Sequence, residues 1–293
     1  MGLKGVGGKS GSPEHSWPQR QKAQSGRTGM TDALGLRDKK VLVFGGTRKI
    51  GKAVALGYAQ AGAEVTVTGR DGATGDTTVA ELEASGCKAH FVDCDITSYE
   101  SVAAAVARAI EKMGGLDVAI QNASGRTKVA QGFRPFSEIA PDEIAGYAQT
   151  HWVAKAYCVK AVLEPMRERG GGKIIVITSD SGKFPTVGES LIGGSAAAAH
   201  VMVRTLAKEF ARWKINVNSV AITITDTGDW NNMIQSGAGA NPQFAAKMFE
   251  KLAKRQIIHV EGRHVADAAV FLGSAMSDAI TGQVLSVNGG VAT

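Results

Sequence analysis

The 293-residue sequence contains only three cysteines, Cys87, Cys94 and Cys158. They are scattered, odd in number and form no CxxC pair, which argues against a disulfide framework and for a reducing compartment. The six histidines show no ligand spacing, so no metal site is expected. No apolar run approaches the ~20 residues needed to cross a bilayer. The N-terminal stretch lacks the apolar segment of a secretory signal. A soluble, cytoplasmic protein with no membrane partner is expected.

Charge of one sign is also scarce outside the N-terminus. The net charge is +6, and most of the excess lies in Lys4, Lys9, Arg20, Lys22, Arg27, Arg37, Lys39 and Lys40. These are offset only by Glu14, Asp32 and Asp38. The remainder is close to neutral, which argues against nucleic acid as a partner. Residues 1–36 read as a leader rich in Gly, Ser, Gln and Lys without hydrophobic period. Such a segment buries too little surface to offset its ordering entropy and is expected to be disordered.

What remains is long enough for one large α/β domain. Short β-branched runs alternate with helical patterns. Strands are expected at Val41–Phe44, Glu64–Thr68, Ala89–Val92, Leu116–Gln121, Lys173–Thr178, Ile215–Val220 and Gln283–Val287. Between them lie helices at Arg48–Ala61, Thr77–Ser85 and Tyr99–Met113, then long ones at Pro141–Arg169 and Ser195–Arg212. A helical insertion near Asn241–Lys254 and a short helix at Arg263–Leu272 complete the pattern. Continuous apolar strands with helical crossovers imply a parallel sheet covered on both faces. Right-handed crossovers then give a doubly wound Rossmann fold, residues 37–293 forming one domain with a small helical substrate lid.

The turn Phe44-Gly-Gly-Thr-Arg-Lys-Ile-Gly51 joins the first strand to the first helix. Glycines there let a pyrophosphate approach the backbone, and the helix N-terminus supplies N–H donors to it. Asp95-Ile-Thr97, Gln121-Asn-Ala-Ser124, Ile177-Thr-Ser179 and the ending Ile280–Gly290 follow in order. Together these segments resemble the short-chain dehydrogenase/reductase family, whose TGxxxGxG turn, acidic adenine turn, NNAG segment and serine strand they parallel. Lys49 departs from the pattern by standing at the usual middle glycine.

The resemblance implies a nicotinamide dinucleotide held by Gly45, Thr47, Arg48, Lys49, Ile50, Gly51, Asp95, Ile96, Asn122, Ala123, Ser124 and Thr227. A carboxylate at the end of the second strand would repel a 2′-phosphate; this chain has Arg70 there and Arg48 nearby. Two guanidiniums suit a phosphate dianion, so NADP(H) is the expected cofactor. The resemblance also implies a serine, tyrosine, lysine and asparagine for catalysis. Counting between motifs places Ser179 at the serine, Ile192 at the tyrosine, Ala196 at the lysine and His151 at the asparagine. Ser190–Ala196 contains neither tyrosine nor lysine, so the family's acid pair is expected to be missing. Candidate replacements are Asp180 and Ser181 beside Ser179, His151, and Tyr147 four residues earlier on the same helical face.

An NADPH-dependent oxidoreductase acting on a small or medium hydrophobic carbonyl, enone or imine is the leading expectation. A non-redox isomerase, lyase or cyclase, or a catalytically silent NADP(H)-binding protein, stands beside it. The lid residues Trp230, Met233, Ile234, Phe244, Met248 and Phe249 favour an apolar small-molecule substrate. A homodimer or homotetramer is implied, with the alanine-rich run Ala196–Ala199 allowing close helix packing.

Overall fold

A computed structural model describes residues 33–124, 133–228 and 241–291. Seven parallel strands are β1 (Lys40–Phe44), β2 (Glu64–Gly69), β3 (Ala89–Asp93), β4 (Val118–Gln121), β5 (Gly172–Ser179), β6 (Ile215–Ile222) and β7 (Val284–Val287). Their order is β3-β2-β1-β4-β5-β6-β7. In register, Val41 lies beside Val65 on one flank and Val118 on the other. The helices are α1 (Lys49–Gln60), α2 (Gly72–Glu83), α3 (Tyr99–Met113), α4 (Pro141–Ala148), α5 (Ala154–Glu168), α6 (Ser190–Phe210), α7 (Pro242–Arg255) and α8 (Gly262–Gly273).

The two-residue period of a strand divides β1 between two cores. Leu42 and Phe44 pack with Val106 of α3, Met166 of α5 and Val203 of α6. Val41 and Val43 face the other way, toward Tyr58 of α1, Leu82 of α2 and Val265 of α8. Both faces are therefore covered, as the unbroken apolar strands require. Tyr58 is fully buried and its hydroxyl donates to the Ala269 carbonyl at 2.7 Å, tying α1 to α8. Chain order reverses at β1, which has β2 on one side and β4 on the other. The crevice beyond the carboxyl ends of those strands is where open α/β sheets bind ligands.

Three departures from the sequence expectations have local causes. Helix α2 begins at Gly72 rather than Thr77, because Asp71 accepts the Thr74 N–H as its N-cap. The expected single helix over 141–169 is broken by a π-turn at Gln149–Val153. Leu36, placed on the leader side of the expected boundary, is buried in the core. Residues 1–32 of the leader lie outside the described residues.

Candidate active-site cleft

The turn after β1 is closed by backbone and near-backbone contacts. Gly45 has φ +70°, and its N–H donates to Thr68 Oγ1 at 3.3 Å. The Asn122 amide, at the end of β4, donates to Gly45 O at 3.0 Å. A Cβ on Gly51 would lie 2.0 Å from Gly45 O, so the first turn of α1 sits directly against the loop. Arg48 is the N-cap of α1 but makes no side-chain cap, and the first turn has no acidic residue. The positive end of the helix dipole is thus uncompensated and faces a glycine cradle, which fits an anionic pyrophosphate.

Lys49 occupies this turn at φ +48°. A side chain in the left-handed region costs roughly 1–2 kcal/mol, which explains why glycine is the natural residue there. Lys49→Gly is accordingly expected to raise the unfolding free energy by about 1 kcal/mol. Chemical denaturation would check this. A lower midpoint would mean that the lysine side chain holds the turn.

Around the expected adenosine end, Arg48 pairs with Asp71 at 3.0 Å and hydrogen-bonds Thr74. The Arg48–Asp71 pair is exposed and therefore weak, so the guanidinium is free to exchange partners. Arg70 follows β2 directly and is exposed. Asp95 accepts from the Thr97 N–H and hydroxyl, which hold its carboxyl below the usual range, with Arg70 adding to the effect. Ile96 is buried in the α3 core.

A cleft of about 460 Å³ opens beside the turn. Arg48, Lys49, Ile50, Asn122, Ser124 and Thr227 are part of its lining. Tyr147, His151 and Lys155 line it as well, with Ser179 and Glu189. Its apolar walls include Phe133, Ile177, Ile192, Ile224 and Phe249. Phe249, from α7, meets Phe133 edge-on with ring centroids 4.5 Å apart.

The π-turn aligns the polar side. In an α-helix each step of four residues drifts by about 40°. A wider π-turn offsets that drift, so Tyr147, His151 and Lys155 all face the cleft. The Tyr147 and His151 rings stack 3.8 Å apart at 4°. Burial lowers the His151 pKa to about 4, helped by the charge of Lys155, so the ring is neutral. Its Nδ1 lies 2.9 Å from the Thr150 hydroxyl and 3.3 Å from the Tyr147 carbonyl. Because the carbonyl can only accept, the proton belongs on Nδ1 and Nε2 is an acceptor. Burial pushes Tyr147 upward, with Glu189 contributing, so its hydroxyl stays protonated.

Lys155 is buried, and its ammonium donates to Gln121 Oε1 at 3.1 Å. Burial depresses its pKa to about 8. In the same cleft, Ser179 Oγ accepts the Ser181 N–H at 3.2 Å and lies 2.8 Å from the Ser181 hydroxyl. Glu189 is buried at the N-cap of α6, its carboxyl beside Ser181.

The structure therefore gathers Tyr147, His151 and Ser179 with part of the glycine turn. It does not bring Asp180 to the cleft. That carboxylate is buried the other way, accepting from Ser286 Oγ at 2.7 Å and from Asn288, residues of the C-terminal motif. Gly45, Thr47 and Gly51 shape the turn behind the cleft, whereas Arg70, Asp95 and Ile96 lie outside its lining. Of the lid residues, Phe249 lines the cleft and Phe244 packs against Gly188. Trp230, Met233 and Ile234 fall outside the described residues. Ala196 and Ala199 turn inward, Ala196 into the cleft and Ala199 into buried packing.

Sequence reasoning missed Lys155 and Glu189. For Lys155 a signal existed, since it continues the four-residue spacing of Tyr147 and His151. Glu189 had none: a lone carboxylate before a helix is ordinary, and only packing of α6 shows it facing Ser181.

Comparison with known proteins agrees with this fold. The short chain dehydrogenase family profile matches residues 39–261. The chain belongs to that family of Rossmann-type dehydrogenases and reductases. It is similar to the 7alpha-hydroxysteroid dehydrogenase of Escherichia coli K12, 29% identical over 260 residues, covering 89% of this chain and 96% of the relative. It also resembles an acetoacetyl-CoA reductase of Synechocystis, 31% identical, covering 88% and 98%. A solved structure of a 7alpha-hydroxysteroid dehydrogenase, complexed with NADH and 7-oxo glycochenodeoxycholic acid, superposes with a TM-score of 0.78. The two chains are 27% identical, with 89% of this chain and 96% of that one covered.

Among the described residues no helix is long and apolar enough to cross a membrane, and no cluster of side chains could hold a metal ion.

Proposed function

We propose that this protein is an NADP(H)-dependent oxidoreductase that reduces a hydrophobic carbonyl, enone or imine with a non-standard set of polar groups. The observation that carries this reading is that the uncapped glycine turn, Ser179, His151 and Lys155 all border one apolar-walled cleft. Gly45, Gly51 and the α1 amides would hold the pyrophosphate. Arg48, released from Asp71, and Arg70 would meet a 2′-phosphate, with Lys49 adding positive charge. Asn122, Ser124 and Thr227 would border the nicotinamide end. When bound, the reduced dinucleotide supplies a hydride.

The chain's own residues do the rest. Ser179 Oγ donates to the substrate oxygen and stabilises the negative charge that develops there. His151 Nε2 accepts a hydrogen bond. The positions that the family gives to its tyrosine and lysine are read as Ile192 and Ala196, so the site has no phenol at its centre. Lys155 brings an ammonium into the same cleft from α5 instead. The apolar walls exclude water and strengthen each of these interactions. Assembly into a homo-oligomer is part of the same reading.

The test is direct. Calorimetry is expected to show tighter binding of NADPH than of NADH, and Arg48→Ala with Arg70→Ala should erase the difference without weakening NADH. Ser179→Ala is expected to lower kcat by about 10²–10³-fold, the usual loss for one oxyanion donor. Undetectable affinity for every pyridine nucleotide would end the proposal.

A further inference from the structure

Ser179 and the buried Glu189 both line the cleft, and the Ser181 hydroxyl lies 2.8 Å behind Ser179 Oγ. Glu189 lines the cleft yet is only 7% exposed. Burial raises its pKa, against the opposing effect of Ser181. Among the described residues no cation pairs with it. Arg134, whose N–H reaches Gly188 O at 3.1 Å, is taken up by Glu143. The group facing Glu189 from α4 is Tyr147, and from the turn after β5 it is Ser181. His151 and Lys155 stand on the same wall as Tyr147, beyond its ring. The position of α6 depends on small residues. A Cβ on Gly193 would come 2.8 Å from Ser181 O, and one on Gly182 would come 2.7 Å from Ala197 N. Glycine at both places lets the first turns of α6 press against the Ser179–Gly182 turn, and that contact sets Glu189 beside Ser181.

We propose that Glu189, Ser181 and Ser179 form a directional relay that delivers a proton to the oxygen of a carbonyl substrate. The inference deepens the oxidoreductase reading and rests on it.

Donor–acceptor accounting sets the direction. Ser179 Oγ already accepts the Ser181 N–H, and its own proton points to the substrate oxygen. The Ser181 hydroxyl, 2.8 Å away, must then donate to Ser179 Oγ. Its remaining lone pairs accept from a protonated Glu189. A bound reduced nicotinamide would supply the hydride to the carbonyl carbon, and the C=O π pair would then pass to the oxygen. An O–H bond forms there as the Ser179 O–H breaks. Ser179 is reprotonated by Ser181, and Ser181 by Glu189, whose O–H bond is the last to break. Glu189 is left as a carboxylate and regains its proton from water at the cleft mouth. Glu189 touches no substrate and acts through the two serines.

Glu189→Gln keeps the shape of the side chain and removes its acidic proton. The informative comparison is between a ketone, whose oxygen must be protonated, and an N-alkylated iminium ion, which needs no proton after hydride addition. With NADPH, the variant is expected to reduce the ketone about 10²-fold or more slowly than wild type, the usual worth of general acid catalysis. Iminium reduction and the NADPH Kd should be unchanged. Ser181→Ala should reproduce this split. Infrared spectroscopy of the ligand-free protein at neutral pH should show a protonated-carboxyl band that Glu189→Gln removes. Equal loss on both substrates, unchanged ketone reduction, or absence of that band would overturn the relay alone. A wild-type protein that reduces neither substrate would overturn the oxidoreductase reading and the relay with it.

Discussion

Gly51→Ala is expected to abolish dinucleotide binding and to destabilise the fold. The added methyl would lie 2.0 Å from Gly45 O and 2.5 Å from Asn122 Nδ2. Those two atoms are themselves hydrogen-bonded, so the methyl would enter the bond that closes the turn. Gly45 O is backbone, so no rotamer change relieves the clash. Either α1 retreats from β1 or the Asn122–Gly45 bond breaks, and both outcomes open the pyrophosphate cradle. Overpacking of this kind costs about 1–3 kcal/mol. Geometry lost at a phosphate-binding loop should raise the NADPH Kd by more than about 100-fold, roughly 3 kcal/mol. Fluorescence titration and urea denaturation would measure the two effects together. Binding as tight as in the unmodified protein would show that the cofactor does not rest on this turn.

Lys155→Met is expected to lose activity without losing stability at neutral pH, because the lysine is an electrostatic burden on the fold. Its pKa falls from 10.5 to about 8 on burial. Between these values the unfolded chain binds more protons than the folded one, so wild-type stability rises with pH across that window. Below about pH 8 the whole penalty is present, on the order of 3 kcal/mol for a shift of this size. Methionine escapes the penalty but leaves Gln121 Oε1 without its donor, which costs about 1–3 kcal/mol. The net change at pH 7 is therefore small. The decisive signature is the difference between the two proteins: wild type should gain on the variant from pH 8 to pH 10.5. On the proposed reading kcat should fall by about 10²-fold, as the cleft loses its ammonium. Parallel stability curves across that window would show that Lys155 is not charged and buried as described.

Much of the architecture was legible because it is written in local periods. Val41–Phe44 is apolar on both faces, which suits a strand covered on both sides. Tyr99–Met113 is bounded by a Ser98 cap and by Gly114 at φ +74°, and its expected limits agree with the structure. The expected start of α2, Thr77, fell five residues late: Gly72 and Gly75 are poor helix formers, yet Gly75 is needed where the helix crosses Phe91. Propensity yielded to packing there. The π-turn also left no mark on a sequence that reads as one continuous helix.

The site divides along a similar line. The glycine turn was singled out because phosphate binding needs glycine at fixed spacing after a strand, whereas the Asn122 bond that props it came only from the structure. Ser179 was singled out through the resemblance of Ile177-Thr-Ser179 to the family's serine strand, and it lines the cleft. Asp180 looked equally suited, being the next residue, but adjacent residues leave a strand in opposite directions. Its carboxylate turned toward Ser286 and Asn288, more than a hundred residues away in sequence.

Spacing along the chain thus indicated the strands, the crossover helices and the glycine turn, since each of these follows from local periods and turn chemistry. Which acids and bases share the cleft depended on contacts between distant segments. Lys155 on α5, Glu189 before α6 and Ser179 at the end of β5 meet only after the sheet has assembled. Their charge states follow from the burial that this assembly imposes.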